Sequence, residues 1–143
     1  MNSVRVFSSD IMPLVKELLN NNQEVLLTVS GTSMRPFFKH QKTVVKLGKI
    51  DTDLKKYDVV IYQHLGVYKL HRLLKIKDDI CLINGDALRE IERVDSHELF
   101  GYVIAHQHQS KWIDHRSFPY LIKVRLWSLL RPFRFIMLRI FRG

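Results

Sequence analysis

The sequence predicts a mostly β, antiparallel fold with an amino-terminal helix and a basic, apolar, helical carboxy-terminal tail, and three observations predict it. Six short β-branched runs succeed one another between Val25 and His106, with no intervening segment long enough for a crossover helix, so strands must pair through hairpins. A helical apolar period precedes these runs, and a segment holding most of the net charge follows them. At 143 residues, 46% hydrophobic and 26% charged, the chain has the size of one ordinary domain and is neither disordered nor collagenous in composition.

The elements follow in chain order. Ser8-Ser9-Asp10 caps an amphipathic helix over residues 9–21, with Ile11, Leu14, Val15, Leu18 and Leu19 on one stripe. Pro13 falls in its first turn, where a missing N–H costs little, and Asn20-Asn21-Asn22 stops it. Strands are predicted at Val25–Val29, Thr43–Leu47, Asp58–Gln63, Val67–Leu74, Ile80–Ile83 and Leu99–His106. His64-Leu65-Gly66 and Lys77-Asp78-Asp79 read as hairpin connections. The domain is expected to span 1–117, with residues 118–143 as a separate tail.

Charge divides the same way. The net charge is +9, and residues 120–143 hold Lys123, Arg125, Arg131, Arg134, Arg139 and Arg142 without one acid. The excess therefore belongs to the tail. The tail is long enough to cross a bilayer, but an Arg at mid-bilayer costs roughly 2.5–3.5 kcal/mol, and a charge recurs every few residues. Trp127, Phe133, Phe135 and Phe141 among these cations suit an interface with an anionic membrane surface, and Pro132 divides the segment. The alternatives are a helix that completes the domain's own core and a nucleic-acid contact. No recognition motif accompanies the cations, so nucleic acid is not expected. The amino terminus has neither the apolar region nor the cleavage site of a signal peptide, and the expected location is peripheral, on the cytoplasmic face of a membrane.

One cysteine, Cys81, leaves no intramolecular disulfide and no multi-cysteine zinc site; between Ile80 and Leu82 it reads as a small buried apolar residue. His106 and His108 share a strand face but lack a third ligand at useful spacing, so no metal is expected. His40, His64, His97 and His115 follow no pattern.

The chemistry concentrates in Ser30-Gly31-Thr32-Ser33-Met34-Arg35-Pro36. A serine just past a strand end, behind a glycine, can stand exposed on a sharp turn with its own N–H turned toward a developing oxyanion. Alone, such a segment is usually just a turn. Together with His71-Arg72 and Gly85-Asp86 downstream, it resembles the serine peptidases of the signal peptidase I and LexA-like superfamily over about residues 25–105. The histidine brings it nearest to the archaeal and endoplasmic-reticulum type of signal peptidase. The resemblance implies a LexA/signal-peptidase-like antiparallel β fold, Ser33 as nucleophile, His71 as general base and Asp86 as its orienting carboxylate. It also implies Ser30 and the Ser33 N–H as oxyanion donors and no cofactor, while Met34 reads as a wall of the substrate groove or as core.

The physical chemistry agrees. A serine hydroxyl needs a base within hydrogen-bond reach. Lysine, with a reference pKa of about 10.4, serves only after strong desolvation, whereas histidine, near 6.5, is already largely neutral at pH 7. Histidine does need a fixed tautomer, which a carboxylate supplies. Lys69 lies two residues before His71 and shares its face, as a solvent-facing lysine or an auxiliary base. The function so implied is a serine endopeptidase acting on an extended precursor or leader peptide. Self-cleavage is disfavoured, because related repressors cut an Ala-Gly bond and the chain contains none. The alternative is a catalytically silent, peptide-binding relative acting as a membrane-surface scaffold.

Overall fold

The computed structural model describes residues 4–5, 11–50, 54–133, 136, 138 and 139. Its elements in chain order are β1 (Val4–Arg5), α1 (Met12–Asn20), β2 (Val25–Thr28), β3 (Val44–Gly48), β4 (Val59–His64), β5 (Val67–Lys77), β6 (Ile80–Asn84), β7 (Glu92–Asp95), β8 (Leu99–His108), β9 (Lys111–Asp114) and α2 (Phe118–Leu129). The fold is mostly antiparallel β with one helix near each end. Among the described residues the strands form one sheet in the order β1-β2-β3-β8-β4-β5-β6-β7, with β9 also paired to β8. Among the described residues only the short β1–β2 pairing is parallel.

Helix α1 forms where the apolar period demands it. Met12, Val15 and Leu19 are buried, whereas Leu14, expected on the same stripe, is exposed. Ile11 occupies the N-cap without a side-chain cap; the expected Ser8–Asp10 cap lies outside the described residues. The asparagines end the helix as anticipated, with Asn22 in the left-handed region at φ 62°.

The β4–β5 hairpin turns on Leu65 and Gly66, both at positive φ (51° and 79°), as a two-residue turn of the primed type requires. The β8–β9 hairpin uses the same device at Gln109 and Ser110 (φ 49° and 69°). Neither residue belongs to the Asn-Gly class that announces such a turn, and β9 was not predicted. Strand β7 was missed too, because Glu-Arg-Val-Asp buries only Val94.

Two apolar clusters lie on the two faces of the central strands. Met12, Leu27, Phe38, Leu47, Ile61 and Leu70 belong to one, and Val60, Tyr62, Leu73, Cys81, Ile83 and Val94 to the other. Alternation along β4 and β5 causes this split. Cys81 is fully buried, and burial raises its thiol pKa.

The segment expected as a membrane-interacting tail begins as a docked helix. Tyr120, Val124 and Trp127 of α2, spaced i, i+4, i+7, are buried. The Trp127 indole Nε1 donates to the Asp86 carbonyl at 2.8 Å, and Arg131 Nη2 donates to the Arg89 carbonyl at 2.9 Å. The first turns after residue 117 thus complete the domain rather than leave it. Arg134, Phe135, Phe141 and Arg142 lie outside the described residues.

Candidate active site

Ser33 sits on a turn held at both ends. Its base is closed by Val29 N–H donating to the Thr43 carbonyl (2.8 Å) and Gln41 N–H to the Val29 carbonyl (2.7 Å). Gly31 turns the chain at φ 97°, a conformation open to glycine, and its N–H donates to His40 Nδ1 at 2.7 Å. Beyond Ser33, the amides of Phe37 and Phe38 both donate to the Met34 carbonyl, while Met34 and Phe38 side chains enter the core. The apolar anchors leave Ser33 half-buried at the surface of the turn. Met34, expected as a wall of the substrate groove or as core, is only 2% exposed and packs in the core, because the turn needs an apolar foot there.

A second segment clamps the turn from the side. The Ala87 N–H donates to the Ser33 carbonyl at 2.9 Å. A Cβ at position 85 would lie 2.9 Å from that same carbonyl oxygen, so glycine there permits the approach. Among the described residues no acceptor takes the Ser33 N–H, which suits an oxyanion donor. Ser30 is half-buried at the start of the loop and makes no hydrogen bond to Ser33 or His71 among the described residues.

His71 comes from the middle of β5, opposite Val60 of β4. Its Nε2 lies 3.0 Å from Ser33 Oγ, within reach for proton transfer. Its Nδ1 lies 3.0 Å from the Tyr62 hydroxyl, which in turn donates to Glu92 Oε1 at 2.7 Å. With that proton spent on Glu92, Tyr62 accepts from Nδ1–H. The network therefore assigns the tautomer that leaves Nε2 free to accept from Ser33. Glu92 Oε1 is also 3.8 Å from Nδ1, and Glu92 Oε2 accepts from Lys69 Nζ at 2.6 Å.

Electrostatics follow from this placement. Burial lowers the His71 pKa to about 4, against the pull of Glu92 upward and with the help of Lys69 downward. The imidazole is thus neutral near pH 7. Burial opposes ionisation of Glu92, but hydrogen bonds from Lys69 and Tyr62 prevail and hold its carboxyl below the usual range. Burial and the adjoining Glu92 carboxylate push the Tyr62 phenol well up, so it keeps its proton.

Asp86 does not take the place expected of it. Its Oδ1 accepts from Arg72 Nε at 3.0 Å and its Oδ2 from Arg72 Nη2 at 2.6 Å. Neighbours on a strand point to opposite faces, so when His71 faces Tyr62, Arg72 faces the other way. Arg72 is opposite Asn84 in the β5–β6 register, and Asp86 follows two residues later. Arg72 is 1% exposed, its guanidinium 5.2 Å from the Phe37 ring centre and 5.6 Å from that of Tyr120. The carboxylate expected to orient His71 instead neutralises a buried guanidinium and steadies the segment that holds Ser33.

Several other histidines find partners too. His106 Nδ1 is 2.7 Å from His115 Nε2, both rings buried, so its companion is His115 rather than His108. His64 pairs with Glu98 and His97 with Asp95. Among the described residues no group of three metal-binding side chains converges.

Sequence reading missed Tyr62 and Glu92. The sheet register contains the signal. Leu73 lies opposite Ile83, and Ile83 opposite Glu92, while Tyr62 lies opposite Lys69, so one face carries His71, Lys69, Tyr62 and Glu92. No family model matches the chain, and neither a curated protein nor a solved structure does.

Proposed function

We propose that this chain is a serine endopeptidase of the signal-peptidase-like type, cleaving an extended precursor or leader peptide. The observation that carries the reading is the 3.0 Å contact between Ser33 Oγ and His71 Nε2, made by residues 38 positions apart. The three sequence boxes support it independently.

In this mechanism the substrate pairs with a strand edge and offers its carbonyl to Ser33. Ser33 Oγ attacks as His71 Nε2 takes its proton, and the Ser33 N–H receives the developing oxyanion. The imidazolium returns the proton to the departing amine, and water activated by the same imidazole releases the acyl group. No step requires a cofactor. Because His71 is neutral down to about pH 4, general-base activity persists into acid.

The partner surface we propose for the domain is an anionic membrane. The face of α2 turned away from the core exposes Phe118, Ile122, Leu126 and Leu129, with Lys123 and Arg125 beside them. A helix apolar on both faces has one more face than its domain covers.

Turnover of a peptide library by the purified chain tests the activity. Ser33→Ala should abolish cleavage and leave peptide binding intact. In the wild type, kcat/KM should rise with pH through an apparent pKa well below 6.5, toward 4. Cleavage unchanged in the Ser33 variant overturns the mechanism; peptide binding without any turnover by the wild type favours the silent scaffold instead.

A further inference from the structure

We propose that Glu92, acting through the Tyr62 hydroxyl, is the positioning carboxylate of this site, so that Ser33, His71, Tyr62 and Glu92 form one hydrogen-bonded chain. Its catalytic consequence rests on the peptidase reading above; the placement of protons along it does not.

Three links are all within hydrogen-bond distance: Ser33 Oγ to His71 Nε2 at 3.0 Å, His71 Nδ1 to Tyr62 Oη at 3.0 Å, and Tyr62 Oη to Glu92 Oε1 at 2.7 Å. They run from the nucleophile turn through β5 and β4 to β7, so four separate segments must be in place for the chain to exist. Each link has one sensible polarity. An ionised Glu92 accepts only, so Tyr62 donates to it; Tyr62 then accepts from Nδ1–H, and Nε2 is left as the acceptor for Ser33. A carboxylate touching an imidazole directly would fix the same tautomer, but here a phenol stands between them. When His71 takes the serine proton, the positive charge forms 3.8 Å from Glu92 Oε1, near enough to be stabilised without transfer to the carboxylate.

Lys69 sets the strength of this effect. Its ammonium holds the other Glu92 oxygen at 2.6 Å, which keeps the carboxylate ionised and offsets part of its field at His71. The charged and titratable groups around the imidazole are Ser33 from the turn, Tyr62 from β4, Lys69 from β5 and Glu92 from β7. Arg72 and Asp86 neutralise each other on the reverse face. Glu92 and Lys69 act on the His71 titration with opposite signs.

That opposition is the test. Titration of the His71 imidazole by nitrogen-15 NMR requires no substrate, and it is to be run on the full chain, Glu92→Gln, Lys69→Gln and Tyr62→Phe, with thermal melts to verify folding. Glu92→Gln keeps an acceptor for Tyr62 but removes the charge, so the His71 titration and any acid limb of kcat/KM should move to lower pH. Lys69→Gln should move both to higher pH. Tyr62→Phe removes the acceptor for Nδ1–H; the nitrogen shifts should then report a mixture of tautomers, and kcat should fall about tenfold or more with little change in KM. A residue that only braces the sheet would lower the melting temperature and leave the titration in place. Titrations that stay put in both charge variants, or shift in the same direction, overturn the proposal. Opposite shifts sustain it even if the wild type cleaves no peptide, in which case the peptidase reading alone fails.

Discussion

At the scale of single residues, Asp86 shows how chemistry can follow from the parity of a strand. His71 and Arg72 are adjacent in sequence, and whichever faces Ser33, its neighbour must face away. Asp86 therefore meets a guanidinium, and its removal should act on folding before it acts on proton transfer. We expect Asp86→Asn to lower stability by about 3–5 kcal/mol, the cost of leaving a buried charge uncompensated. Urea denaturation measures this. In such a variant the pH at which kcat/KM falls should stay where it is, because Glu92 rather than Asp86 faces the imidazole. A shifted acid limb with unchanged stability would restore the arrangement expected from the sequence. Arg72, the neighbouring half of the His71-Arg72 box, thus matters as a buried brace, and its partner Asp86 shares that duty.

At the scale of elements, α2 has two apolar faces, one buried in the domain and one exposed, the latter proposed to meet an anionic membrane. Its inner face buries Tyr120, Val124 and Trp127 and ties into the segment that clamps Ser33, so removal of residues 118–143 should destabilise the domain rather than merely free it from lipid. Its outer face is separable. Replacing Phe118, Leu126 and Leu129 with Gln or Ser should abolish co-sedimentation with anionic vesicles while the melting temperature changes little, since all three are exposed. Salt should weaken binding by the intact chain. Retained vesicle binding in the triple variant would show that the cations alone suffice. Six strands were legible because each has a β-branched run bounded by turn residues. Strand β7, with one buried side chain, and β9, reached through Gln109-Ser110, carry no such mark: pairing with β6 and β8 makes them strands, not their own propensity.

At the scale of the whole molecule, three imidazoles are held neutral by burial. His71 and His106 titrate near 4, and His115 well below its ordinary value, with Arg72 adding to the effect at the latter two. In the unfolded chain each titrates near 6.5. Above that pH neither state binds a proton, and their contribution to stability is complete. Between about 6.5 and 4 the unfolded chain takes up protons that the folded one refuses, so stability falls as the solution is acidified. Urea midpoints should decline steadily from pH 7 to pH 4.5, and a flat profile would mean that these rings protonate freely in the native state. The acid-tolerant chemistry proposed for His71 and acid-sensitive folding thus have one cause, which is desolvation.

The sequence by itself determined the class of fold, the amino-terminal helix, the serine turn and the histidine on its strand, because periodicity, turn chemistry and residue type are local properties. Which carboxylate stands near the histidine was decided only by tertiary structure. Asp86 stands in a recognisable box and Glu92 in none, yet strand register carries one away from His71 and brings the other to it through Tyr62. Register is a relation between strands that no single segment contains, and a shift of one residue would exchange the two faces.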